Sequence, residues 1–221
     1  MSVAPTASAS TLVIEDAVIN RRLRRPADLA RFAFTVFTIV IVGLLAFLAQ
    51  STTTGIDQDI AQGANRLPSA IILITNLVSG FGALIFPAAA ALDLLIRKRT
   101  RQLVESIAAL LVTVVILSVS SWALIQSGSE RLLLTFAGTT DPATAVPFSI
   151  VVGGLAAFTT VARIMSRPRW NIVAGIVIGS IALANIVSGG VTAAGLGVSL
   201  LAGWATGLLI RYLLGTDTTR P

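Results

Sequence analysis

Apolar residues in this chain come in long blocks separated by short polar or basic segments. They do not follow the alternation or 3.6-residue rhythm of elements that keep one face in water. The blocks cover residues 32–50, 67–96, 103–126, 147–165, 171–187 and 191–214. Each reaches or approaches the ~20 residues an α-helix needs to cross a bilayer. The pattern predicts an all-α, polytopic membrane protein with six transmembrane helices. Residues 51–66 and 127–146 read as polar loops, and residues 188–190 (SGG) as a tight turn into the last helix. Pro87 interrupts the second block, where it removes the backbone bond to the Ala83 carbonyl and is expected to bend the helix.

The basic residues fix an orientation for these spans. With the N-terminus in the cytoplasm, the inner segments carry Arg21, Arg22, Arg24, Arg25, Arg31, Arg97, Lys98, Arg99, Arg101, Arg163, Arg167, Arg169, Arg211 and Arg220. Only Arg66 and Arg131 fall outside. This asymmetry follows the positive-inside rule and predicts cytoplasmic N- and C-termini. It divides the chain into a basic cytoplasmic segment (1–31), a six-helix membrane domain (32–214) and a tail or linker start (215–221). The expected location is a bacterial plasma membrane.

Composition narrows the function. The 221 residues are 55% hydrophobic and 12% charged, about half the charge of an ordinary soluble domain. The net charge of +6 lies in the segments flanking the spans, so it reads as topology and lipid contact rather than as a nucleic-acid footprint. Cysteine and histidine are both absent. That removes thiolate chemistry, the commonest metal ligand and the one side chain that ordinarily titrates near neutrality. No metal site and no cofactor are expected. No charged residue falls near the middle of a block; Asp93 comes closest, near the inner end of the second. Ion-coupled carriers and proton relays rely on such charges. A transporter or channel subunit is therefore the alternative reading rather than the first.

Small residues mark the last two spans. Gly195, Ser199, Gly203 and Gly207 recur every fourth residue and share one helix face; Gly175 and Gly179 repeat the spacing in the fifth span. Such stripes let helix backbones approach closely in lipid, so all six are expected to be helix-packing positions.

The last three spans also resemble the type 2 phosphatidic acid phosphatase superfamily, six-helix membrane enzymes that remove phosphate from lipids. The resemblance covers roughly residues 131–214 and lies in VPFSI, in SGGVTAAGLGVSLLAGW and in their placement on the outer side. It sets Pro147, Phe148, Ser149 and Ile150 on the family's Pro-Ser-Gly-His motif. Ser188 falls on its serine, Gly189 on its arginine, Gly195 on its histidine and Ser199 on its aspartate, with Leu201, Ala202, Gly203 and Trp204 following in register. The family's earlier Lys and Arg-Pro have no counterpart, because Gly138 and Thr139 occupy that spacing and only Arg131 stands nearby. The fold implied is a helical bundle whose fourth to sixth spans enclose an outer pocket lined by Ile150, Gly189, Gly195 and Ser199. The chemistry implied is none: these positions hold no side chain that can act as a base near neutral pH and no fixed cation to balance a phosphate. A lipid phosphatase with unorthodox residues would have to pair Ser149, Ser188 or Ser199 with Glu130 or Asp141 as base.

A second resemblance, in RRPADLARF, LVSGFGALIFP and the terminal GTDTTRP, is to the N-terminal region of actinobacterial integral membrane proteins that continue into a lysylphosphatidylglycerol synthase/flippase-like domain. It implies a C-terminal or partner flippase-like membrane domain. The resulting expectation is a non-catalytic membrane domain that binds membrane lipids or such a partner, in envelope-lipid or polyprenyl-phosphate handling.

Overall fold

The computed structural model describes residues 26–49, 55, 63, 69–139, 141, 143–162, 168–187 and 191–214. Among them are seven helices and no strand: α1 (Pro26–Leu48), α2 (Ser69–Ile96), α3 (Thr100–Gln126), α4 (Glu130–Ala137), α5 (Ile150–Val161), α6 (Pro168–Val187) and α7 (Ala193–Leu214). Five of them, α1, α2, α3, α6 and α7, are long and apolar enough to cross a membrane. The chain is a multi-pass, all-helical membrane protein.

The fourth predicted span differs. Among the described residues of 147–165, helix α5 takes up twelve, about 18 Å at 1.5 Å per residue, short of a full crossing. Ser149 begins it as an N-cap in extended backbone, with its Oγ accepting from Val152 N–H. Pro147 and Phe148, counted as apolar span in the sequence, form the approach to this cap. The loop read at 127–146 differs too. It contains α4, which ends at Gly138 in the left-handed conformation (φ 69°) that glycine adopts without strain. Leu133, Phe136 and Ala137 on α4 are buried against the bundle.

Burial explains why a short helix can be central. In α5 every residue from Val152 to Val161 is buried. It lies between α3 and α7, while α7 also packs on α1, and α2 pairs with α6. About half of α7 is buried (56%), against 11–17% for the other long helices. Their remaining surfaces carry exposed Phe34, Phe37, Leu84, Val115 and Trp122, as suits faces turned to lipid. Several of the buried hydroxyls are satisfied locally. Thr113, Thr160 and Ser199 each donate to the carbonyl four residues back, at 2.8, 2.7 and 2.7 Å, the cheapest solution where no water is at hand. Gln102 of α3 donates to the Val161 carbonyl at the end of α5 (3.4 Å). Helix α2 runs through Pro87 without a break. A three-residue turn, with Lys98 at φ 55°, folds α3 back from α2. Asp93, the acidic residue nearest the apolar interior, pairs with Arg97 one turn away (2.9 Å).

Candidate functional site

Two places in the bundle gather polar or charged groups. The first is where the cap of α5 meets the start of α7. Ser149 N–H donates to Ser199 Oγ (2.9 Å), and Ser199 Oγ donates to the Gly195 carbonyl (2.7 Å). Ser199 is wholly buried, and its hydroxyl is used as both acceptor and donor. Beside it Thr192 caps α7: its Oγ1 accepts from Gly195 N–H (3.1 Å) and donates to the Thr135 and Phe136 carbonyls (2.9 and 3.0 Å). That single hydroxyl satisfies an orphan donor of α7 and shares its one proton between two carbonyls of α4. The Phe136 and Phe148 rings lie beside it, with centroids 5.7 Å apart.

Pro147, Phe148, Ser149, Gly195 and Ser199 are thus brought together. They form a contact, not the pocket expected from the sequence. A Cβ on Gly195 would run into the Pro147 and Phe136 carbonyls, so three backbones meet there with no space between them. Ile150 turns away and is 37% exposed. Ser188 and Gly189 lie outside the described residues, as does the Asn76 side chain. The two candidate bases take no part. Glu130 is exposed, and the Asp141 carboxylate accepts from Ala143 N–H and Thr144 Oγ1 within its own turn (3.0 and 3.2 Å). Arg131 lies over the Phe47 ring of α1, 6.0 Å from its centroid.

The small-residue stripes separate into two cases. On α7 the stripe is a contact face. A Cβ on Gly203 would overlap the Gly153 carbonyl of α5, and one on Gly207 would lie 2.9 Å from Thr160 Cβ. On α6, Gly175 and Gly179 have nothing within 4 Å of a Cβ position. Among the described residues, α6 packs through Ala174, Val177 and Ile181 rather than through these two glycines. Those residues repeat at helical spacing on another face, and Val177 lies 3.1 Å from a Cβ built on Gly82 of α2.

The second place lies at the opposite end of α7. A groove of about 910 Å³ runs between α1 and α7, with Thr160 of α5 in its wall. Arg31 and Arg211 line it, along with Phe34, Thr38, Leu201 and Trp204. Arg211 Nη2 lies 3.6 Å from Asp28 Oδ2, and the Asp28 side chain is only 4% exposed. Sequence reasoning treated Arg31 and Arg211 as markers of topology and passed over Asp28. The available signal was an acidic residue following RRLRRP and a single arginine in the last turn of the final span. A smaller groove of about 460 Å³ between α2 and α6, lined by Gly82, Phe86, Trp170 and Val177, holds no charged group. Among the described residues no three acidic, Cys or His side chains gather as a metal site. Comparison of the chain with protein-family models, curated proteins and solved structures finds no match.

Proposed function

We propose that this chain is a non-catalytic integral membrane domain that binds lipid, a relative of the phosphatidic acid phosphatase fold that has lost its chemistry. In this reading both termini face the cytoplasm of a bacterial cell, and α5 with its flanking residues serves as the fourth of six transmembrane segments. One observation carries the proposal. Two of the positions aligned with the phosphatase motifs, Ser149 and Ser199, touch each other, and that contact is sealed by backbone packing around Gly195. A serine buried between a donor and an acceptor, with no base against it, has no means of attacking phosphorus. Lipid binding is supported by the groove between α1 and α7, which combines an apolar wall with arginine at one end.

The test has two measurements on the purified chain. Incubation with phosphatidic acid or a polyprenyl phosphate is expected to release no phosphate above the blank. Mass analysis of co-purified lipid is expected to find species enriched over the bulk membrane. Phosphate release that disappears in Asp141→Asn would restore the enzyme reading. Repeated recovery of detergent alone would remove lipid binding.

A further inference from the structure

We propose that the groove between α1 and α7 holds one anionic glycerophospholipid, its phosphate against Arg31 and an acyl chain laid along Thr38, Leu201 and Trp204. The proposal rests on the lipid-binding reading and says where and which lipid.

Depth is the first argument. From Arg211 to Leu201 is ten residues of α7, and from Arg31 to Thr38 seven of α1. At 1.5 Å per residue the groove extends about 10–15 Å along the bundle, half of a hydrocarbon core ~30 Å thick. That is the depth of one leaflet, whereas a partner helix would need a groove along the whole span.

Charge is the second. Arg31 and Arg211 stand at the same end, and Asp28 accounts for one of the two positive charges. Arg31 is exposed and has no acidic partner among the described residues. Among the described residues the rim therefore carries one net positive charge, which matches a phosphodiester; guanidinium is also well shaped to bond two phosphate oxygens at once. A zwitterionic headgroup would bring its own cation to this rim.

The wall is the third. Thr35, Thr38 and Thr160 contribute hydroxyls, but each donates to its own helix, to Arg31 O, Phe34 O and Ala156 O at 2.7, 2.9 and 2.7 Å. These three hydroxyls thus ask no acceptor of an occupant, and the wall below the rim suits hydrocarbon, with the half-exposed Trp204 ring as a flat, largely apolar surface. The α2–α6 groove has the apolar wall without the cation, so it selects no headgroup.

The experiment uses the full chain, delipidated in detergent and equilibrated with vesicles of phosphatidylglycerol and phosphatidylcholine in equal amounts. Retained lipid is counted by native mass spectrometry. Wild type is expected to retain phosphatidylglycerol over phosphatidylcholine by about five- to tenfold, and Arg31→Gln to lose that preference. Because Arg31 is exposed, the variant should fold normally. Leu201→Trp leaves the charge alone and fills the chain path, and is expected to lower total retention by a similar factor. If wild type retains lipid but both variants match it, the site is wrong and the lipid-binding reading survives. Equal retention of the two lipids by wild type also overturns the proposal, as does a lipid-free dimer with the groove covered. If wild type retains no lipid, both readings fall together.

Discussion

Replacing Gly203 with alanine adds one methyl group at the place where α7 lies closest to α5. That Cβ would overlap the Gly153 carbonyl oxygen, and would stand 2.8 Å from the Gly153 carbonyl carbon and 3.0 Å from Ala156 Cβ. The carbonyl oxygen is the nearest obstacle, so the helices must part by about 1 Å, and a gap of that size forfeits up to about half of each contact along it. Overfilling a packed interior costs about 1–3 kcal/mol, and the upper end applies because the obstacle is backbone, which cannot swing aside. Alanine returns about 1 kcal/mol of helix propensity, leaving a net loss of about 2 kcal/mol. Gly175→Ala on α6 is the matched control. It gains the same propensity and meets nothing within 4 Å, so it is expected to stabilise by up to about 1 kcal/mol. The assay is unfolding in mixed micelles with increasing SDS, followed by circular dichroism. The two variants should differ by about 3 kcal/mol in opposite directions. Values within about 0.5 kcal/mol of each other, the range of an ordinary surface substitution, would refute the close crossing of α5 and α7.

Thr192→Val keeps the shape of the α7 cap and deletes the hydroxyl that serves Gly195 N–H and the Thr135 and Phe136 carbonyls. The expected loss is about 2–3 kcal/mol in the same unfolding assay, with Thr192→Ser recovering most of it. Asp28→Asn removes the anion beside Arg211. Breaking a fully buried pair costs about 3–5 kcal/mol, but Arg211 is 19% exposed and 3.6 Å away, so about 1–3 kcal/mol is expected. Combining Asp28→Asn with Arg211→Gln should recover part of that loss, and the single variant should unfold at lower SDS than the double.

The long apolar helices were legible because crossing a bilayer is a local demand: some twenty apolar residues in one run satisfy it whatever the rest of the chain does. On that ground α3 and α7 fall where the pattern places them, whereas α1 begins at Pro26, six residues inside the segment read as cytoplasmic. Helix α4 was legible in principle. Ser129 stands before it and Gly138 after it, around apolar residues at helical spacing, but eight residues inside a polar loop do not stand out. The extent of α5 was not legible. An apolar run looks the same whether it spans a membrane as helix or begins with a buried Pro147 approach and a Ser149 cap.

The candidate site divides in the same way. Spacing put Ser149 and Ser199 at one end of the bundle, since helix length and topology determine which ends coincide. Whether they enclose a pocket or close on each other depends on sub-ångström backbone approach at Gly195 and Gly153, which no periodicity encodes. The glycine stripes of α6 and α7 are identical in spacing, yet only one packs, because the rotation of a helix about its axis is chosen by its neighbours. Arg31 and Arg211 stand 180 positions apart in the chain, and only the packing of α1 on α7 makes them the rim of one groove. The chain alone determined which segments prefer lipid to water. Tertiary structure decided which of their faces meet, because packing energy falls off within an ångström and is shared between residues far apart in sequence.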